Sequence, residues 1–247
     1  MIPARRVALV TGAGRRIGRA VALSLAQAGC DIAVHYRKSG EGAEETAREV
    51  RLLGRKADVF RWDFAADPVA ATLVGQVCDK LGGLDILVNN AAWFIPEGEP
   101  PPPDFSFNLW QQMFAVNVIA PASLCFEAAR IMREHGSGRI VNLCDACWDR
   151  PWANYPAYCA SKAALVSLTR SLALALAPQI QVNGVSPGII EFPESFTPEV
   201  RERLIQKIPA GRTGFLEEIA DTVRFLAEGP AYLTGQVVAV DGGRGLR

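Results

Sequence analysis

Fifteen residues near the start, "VALVTGAGRRIGRAV" (7–21), constrain the fold more than any other stretch. Four apolar residues run into a turn holding Gly12, Gly14 and Gly18, and an amphipathic pattern follows. That order reads as strand, tight turn and helix, because glycine reaches backbone conformations and close approaches that other residues do not. A glycine-rich turn between a strand and a helix also lets a pyrophosphate sit on the positive end of the helix. By itself such a turn is weak evidence; its place after the first strand strengthens the dinucleotide reading.

The rest of the chain repeats the theme. Short Val/Ile/Leu-rich runs at 7–10, 31–36, 57–62, 84–89, 139–144, 180–185 and 236–241 predict seven strands. Helical patterns lie between them at roughly 15–28, 41–53, 67–81, 107–134, 155–176 and 215–228. Alternation of this kind predicts an α/β fold, a doubly wound parallel sheet with helices on both faces. With no seam, repeat or linker in 247 residues, one domain over 1–247 is expected. Two stretches break the pattern, "IPEGEPPPPDFS" (95–106) and "GIIEFPESFTPEV" (188–200). Both follow strand ends, so each reads as a substrate wall or as an ordinary surface loop.

Charge bounds the partners. Lys plus Arg (26) equals Asp plus Glu (26), which argues against a broad footprint for nucleic acid or an anionic membrane. Two arginines and four apolar residues before the turn are too few for a signal-peptide core or a membrane span, so a cytoplasmic protein is expected. Six scattered cysteines read as buried free thiols. Cys144 and Cys147 have a CxxC spacing, yet there is no second such pair and only two histidines, so neither a metal site nor a redox site is expected.

The end of the second strand addresses the choice of cofactor. NAD binders carry an acid about 20 residues after the glycine fingerprint. Here "HYRKS" (35–39) stands instead, and with Arg15 and Arg16 it forms a cationic cluster suited to a 2′-phosphate; the alternative is that Arg37 and Lys38 only solvate a loop. NADPH/NADP+ is the expected cofactor. Asp63 sits where an adenine contact would fall, and "LVNNAA" (87–92) ends the fourth strand with small residues.

A second site lies in "NYPAYCASKAALVSLTRSLALALAP" (154–178), where Tyr158 and Lys162 share one helix face four residues apart. A lysine beside a phenol is expected to lower the tyrosine pKa and make it a proton donor and acceptor near neutral pH. Thirteen residues earlier, Asp145 closes the apolar run "GRIVNLC". It reads either as a group facing the chemistry or as a buried acid satisfied by backbone amides.

The TGxGxxxG turn, "NNAA", Asn117 in "FAVNV", YxxxK at 158–162 and "SPG" at 186–188 stand in order over essentially the whole chain. Together they resemble the short-chain dehydrogenase/reductase superfamily. The resemblance implies a Rossmann-type sheet, a nicotinamide cofactor and a homotetramer. It implies Tyr158 as catalytic acid, Lys162 holding the ribose and tuning Tyr158, and Asn117 supporting a proton-relay water. The implied cofactor set comprises Gly12, Gly14, Arg15, Arg16, Ile17, Gly18, His35, Tyr36, Arg37, Lys38 and Ser39, with Asp63, Phe64, Asn90, Ala91 and Ala92. Tyr158, Lys162, Pro187, Gly188 and Ile190 complete it.

Where the superfamily usually carries a serine, this chain has Asp145. "TGAGRRIG", "HYRKS" and "NNAAWF" are similar to segments of the pteridine reductase subgroup, which also has Asp there. That likeness implies reduction of a C=N bond in a dihydropterin or dihydrofolate-like heterocycle, with Arg16, Phe94, Asp145, Tyr158, Gly188 and Phe192 toward the substrate. Ala92 and Trp93 depart from the subgroup's serines, and Phe94 and Trp93 also read as lid or core aromatics. A carbonyl reductase acting on a 3-oxoacyl thioester or a sugar or alcohol ketone is the alternative enzyme. A nucleotide-sensing module without turnover is the alternative from another class.

Overall fold

The computed structural model describes residues 6–95, 104–193 and 196–246. Most of the Pro-rich segment singled out above, and two residues of the 188–200 stretch, lie outside them. Strands β1 (Val7–Val10), β2 (Asp31–Tyr36), β3 (Ala57–Arg61), β4 (Ile86–Asn89), β5 (Gly138–Leu143), β6 (Ile180–Pro187) and β7 (Val237–Val240) form one sheet in the order β3-β2-β1-β4-β5-β6-β7. Every pairing is parallel. The seven strands are those the apolar runs predict.

Apolar runs without polar alternation are what a sheet covered on both faces demands, and β1, β4 and β6 are buried throughout. Successive strand residues divide between two cores. Leu9, Ala33, Leu87, Ile140 and Val182 face one core, which α3 (Ala71–Leu81), α5 (Ala120–Glu134) and α6 (Pro156–Leu176) close. Ala8, Val10, Ile32, Val34 and Val88 face the other, closed by α1 (Arg16–Gln27), α2 (Gly40–Leu52) and α8 (Leu216–Glu228).

The order reverses once. The chain walks outward from β1 to β3, then returns to lay β4 against β1. At such a reversal the connections leave in opposite directions and open a crevice at the carboxyl ends of the strands. The turn after β1 and the segment after β4 border it.

Two features differ from the expected elements. The predicted helix over 107–134 is α4 (Phe107–Phe114) and α5 joined by a π-helical turn, Ala115–Ile119. Apolar periodicity does not register one extra residue in a turn. The second is α7 (Pro198–Ile205), which begins in the last three residues of the stretch expected to be irregular and runs beyond it. Its start signal was present: the Thr197 side chain accepts from Val200 N, and Pro198 occupies the first helical position. The α4–α5 run and α6 are each long and apolar enough to cross a bilayer by length and composition, and each is half buried in the fold.

Candidate active site

The turn after β1 is built from backbone constraints. Gly12 has φ +67°, which favours glycine, and a Cβ on Gly18 would lie 2.2 Å from the Gly12 carbonyl oxygen. A Cβ on Gly42, at the start of α2, would meet the Gly14 oxygen at 2.2 Å. Side chains then tie the turn down. Thr11 Oγ1 accepts from the backbone N–H groups of Asn90 and Ala91, both at 2.9 Å, and Asn90 Nδ2 donates to the Thr11 oxygen at 2.7 Å. Thr46 Oγ1 donates to the Ala13 oxygen.

His35 lies beneath this turn. Gly12 N donates to Nδ1 at 3.0 Å, so the ring proton is on Nε2, which donates to the Trp62 oxygen at 3.2 Å. Burial outweighs those bonds and holds the imidazole neutral, its pKa lowered to about 4. Phe64 packs on it with ring centroids 4.5 Å apart. The structure therefore places His35 and Phe64 under the turn, while Arg15, Arg16 and Lys38 lie exposed around it and Tyr36, Arg37 and Ser39 partly so. Arg37 Nε is 3.7 Å from Asp63 Oδ2.

Helix α1 has no side-chain N-cap and no acid in its first turn, while arginines stand at its cap and first position. Uncapped N–H groups beside two guanidinium groups suit an anion, and a dinucleotide's diphosphate fits. Arg16 is the one non-glycine residue with positive φ (50°) among the described residues, and it pairs through Nε with Glu191 Oε2 in the loop after β6.

On the other side of the crevice, Asp145 opens a 3₁₀ turn, Ala146–Trp148. Its Oδ1 accepts from Cys147 N at 2.9 Å, and its Oδ2 accepts from Tyr158 OH at 3.0 Å. Both readings of this acid are therefore partly realised: one oxygen is satisfied by an amide, the other faces the phenol. Lys162 Nζ donates to the Leu143 oxygen at 2.8 Å and stands 5.8 Å from the Tyr158 ring centroid. Tyr158 and Lys162 are both buried.

The electrostatics correct one expectation. Lys162 was expected to pull the Tyr158 pKa down; burial first, and then the Asp145 charge, raise it well above the ordinary phenol value. Lys162, its ammonium desolvated, is itself lowered. The pair as it stands is a phenol hydrogen-bonded to a carboxylate, a proton donor rather than a phenolate.

Asn117, buried in the π-helical turn, works through backbone. Its Oδ1 accepts from Trp93 N at 2.7 Å, and its Nδ2 donates to the Trp93 oxygen at 3.0 Å and to Ser161 Oγ at 3.0 Å. Ser161 Oγ donates to the Tyr158 oxygen at 2.7 Å. The clamp on Trp93 sets the next residue, Phe94, whose ring meets Tyr158 edge-on with centroids 4.8 Å apart and tilts against Tyr155 at 4.9 Å. Pro187 ends β6, and Gly188, Ile190 and Phe192 follow it at the same end of the sheet. A Cβ on Gly188 would crowd Asp241 Cα at 2.7 Å, and Phe192 stacks loosely on Phe196.

Sequence reasoning missed Thr11, Thr46, Ser161, Tyr155 and Glu191. Thr11 stands in the TGxGxxxG turn, which marks the turn but not the tie it makes, Thr46 had no distinguishing signal, and nothing in "GIIEFPES" links Glu191 to Arg16. All six cysteines are free, and Cys144 is raised to about 11 by burial, which leaves it an inert thiol. No cluster of metal-ligating side chains occurs among the described residues.

A doubly wound parallel sheet, a glycine turn at its reversal point and a buried Tyr–Lys pair across the crevice define a nicotinamide-dependent oxidoreductase. Comparison narrows the class. Residues 12–244 match the family model described as enoyl-(acyl carrier protein) reductase. The chain is 38% identical over 244 residues to the "Uncharacterized oxidoreductase YohF" of Escherichia coli K12, spanning 96% of this chain and 95% of that one. Acetoin dehydrogenase from Enterobacter cloacae superposes with a TM-score of 0.88 at 37% identity, over 98% of this chain and 97% of that one. FolM alternative dihydrofolate reductase 1 from Brucella canis, solved with NADP, gives 0.90 at 36% identity over 99% and 95%. The chain belongs to the short-chain dehydrogenase/reductase superfamily.

Proposed function

We propose that the protein is an NADPH-dependent reductase of the pteridine reductase type, delivering hydride to a C=N bond of a dihydropterin or dihydrofolate-like heterocycle. The observation that carries this reading is the 3.0 Å bond between Tyr158 OH and Asp145 Oδ2. When bound, the nicotinamide supplies the hydride; the chain's task is to place the heterocycle and give a proton to the ring nitrogen. Tyr158, kept protonated by burial and by Asp145, carries the proton to be given, and the carboxylate beside it can relay the replacement proton.

The turn from Gly12 to Gly18 and the uncapped start of α1 would hold the diphosphate, Arg37 and Lys38 a 2′-phosphate, and Lys162 the nicotinamide ribose. Phe94, fixed by the Asn117 clamp, offers an aromatic face to a flat ring. The NADP bound to the Brucella canis relative supports the same cofactor here. The reading includes a homotetramer in the cytoplasm, with six free cysteines consistent with a reducing compartment.

A carbonyl reductase is the second reading, favoured by the similarity to an acetoin dehydrogenase and by Ala92 and Trp93 in place of small polar residues. NADPH oxidation with dihydrobiopterin and dihydrofolate, set against a ketone panel, for wild type and Asp145→Ser, separates the two. Pterin turnover lost on Asp145→Ser supports the pterin reductase. Ketone turnover alone, kept or improved by serine, replaces it with the carbonyl reductase.

A further inference from the structure

Among the described residues, four carboxylates stand just past strand ends on the side of the crevice, and three are committed. Asp63 faces Arg37, Asp145 holds Tyr158 and the Cys147 amide, and Asp241 accepts from Gly243 N and Gly245 N at 2.9 and 2.7 Å. The fourth, Glu191, is engaged by Arg16 in a pair whose side chains are 57% and 42% exposed. An ion pair this wet contributes little and exchanges readily. It also bridges the crevice, joining the phosphate-binding turn after β1 to the loop after β6.

Arg16 holds its position with a left-handed backbone, which a non-glycine residue adopts at a cost, and such outliers gather where a side chain must be aimed. What Glu191 accepts from it is a guanidinium, a planar N–C–N array of N–H donors. A dihydropterin presents the same array along its 2-amino and N3–H edge. The Arg16 contact is made through Nε and one carboxylate oxygen; an amidine edge offers two N–H donors, and a carboxylate that accepts both gains paired, directional bonds.

We propose that Glu191 is a specificity-determining residue that exchanges the Arg16 guanidinium for the amidine edge of the substrate, releasing Arg16 toward the cofactor's diphosphate. This rests on the pterin reading above. It also answers the loss of polar side chains at Ala92 and Trp93: the contact the end of β4 no longer offers comes from the loop after β6.

The test compares 7,8-dihydropterin with its 2-oxo counterpart, dihydrolumazine, using NADPH-loaded wild type, Glu191→Gln and Glu191→Ala. Wild type should favour the 2-amino compound by roughly 10- to 100-fold in kcat/KM, expressed in KM, as expected for a charge-assisted hydrogen bond. Glu191→Ala should level the two substrates with kcat little changed, and Glu191→Gln should lose most of the preference. NADP+ affinity, read by tryptophan quenching, should hold or tighten in both variants because Arg16 is freed. A preference that survives Glu191→Ala, or a KM that rises equally for both compounds, overturns the assignment while leaving pterin reduction intact. Turnover of ketones with neither heterocycle overturns the pterin reading itself, and the inference falls with it.

Discussion

Around the turn after β1, polar side chains are consumed by backbone: Thr11 ties two amides, Asn90 just past β4 returns two bonds to the turn, and both nitrogens of His35 in β2 are occupied. Past β5 and β6, the chemistry-bearing groups are held by one or two bonds each, with Asp145 on Tyr158 and an amide, Lys162 on a carbonyl, and Glu191 on Arg16. The first region is a rigid seat in which change costs stability. The second holds its groups by fewer bonds, where change is expected to cost turnover and leave the fold standing.

The contrast can be broken most forcefully at Tyr158. Tyr158→Phe keeps the ring packing against Phe94 and removes the proton, so kcat/KM should fall about 10²- to 10⁴-fold while cofactor affinity holds. An equal loss of cofactor binding would show that the catalytic side is as structural as the seat.

His35 tests the seat through pH. Its folded pKa, about 4, lies below the ordinary 6.5, so the unfolded chain takes up the proton first as pH falls. Stability from the neutral ring is therefore fully present above about pH 6.5 and is lost progressively down to about pH 4. The full loss is about 3 kcal/mol. Urea midpoints between pH 7 and 4.5 should fall more steeply for wild type than for His35→Gln; parallel curves would show that the ring carries no such linkage.

Gly18→Ala forces a methyl onto the Gly12 carbonyl and should cost about 2–3 kcal/mol, a fall in Tm of roughly 5–10 °C, with cofactor affinity lost in step. An unchanged Tm would mean the turn yields. The smallest effect marks the background for these comparisons. Gly75, exposed in α3 with open space around its would-be Cβ, should gain about 1 kcal/mol on Gly75→Ala, read as a small rise in Tm with unchanged kinetics.

The same division explains what the sequence made legible. The seat could be read because its requirements fall on residue type: glycine at 12 and 18 is enforced by φ and by atoms 2.2 Å away, and such demands leave a pattern. All seven strands could be read because each carries a short apolar run between helical patterns, and β1, β4 and β6 are buried throughout. The catalytic side was legible only as isolated candidates. Tyr158 and Asp145 are thirteen residues apart, and their 3.0 Å bond depends on how β5 and α6 pack. The direction of the Tyr158 pKa was misread for that reason, since local spacing gives Lys162 as a neighbour and says nothing about burial or the facing acid. Glu191 lies 175 residues beyond Arg16, a separation no local pattern spans.

The π-helical turn at Ala115–Ile119 amounts to an insertion retained in the chain. With 3.6 residues to a turn, deleting a single residue there would let α4 and α5 fuse into one regular helix and rotate everything before the deletion by about 100°. Asn117 could then no longer reach Trp93 and Ser161 together, and Phe94 would lose its anchor beside Tyr158. The length of one turn, rather than any side chain in it, sets the phase between the outer helix and the catalytic face.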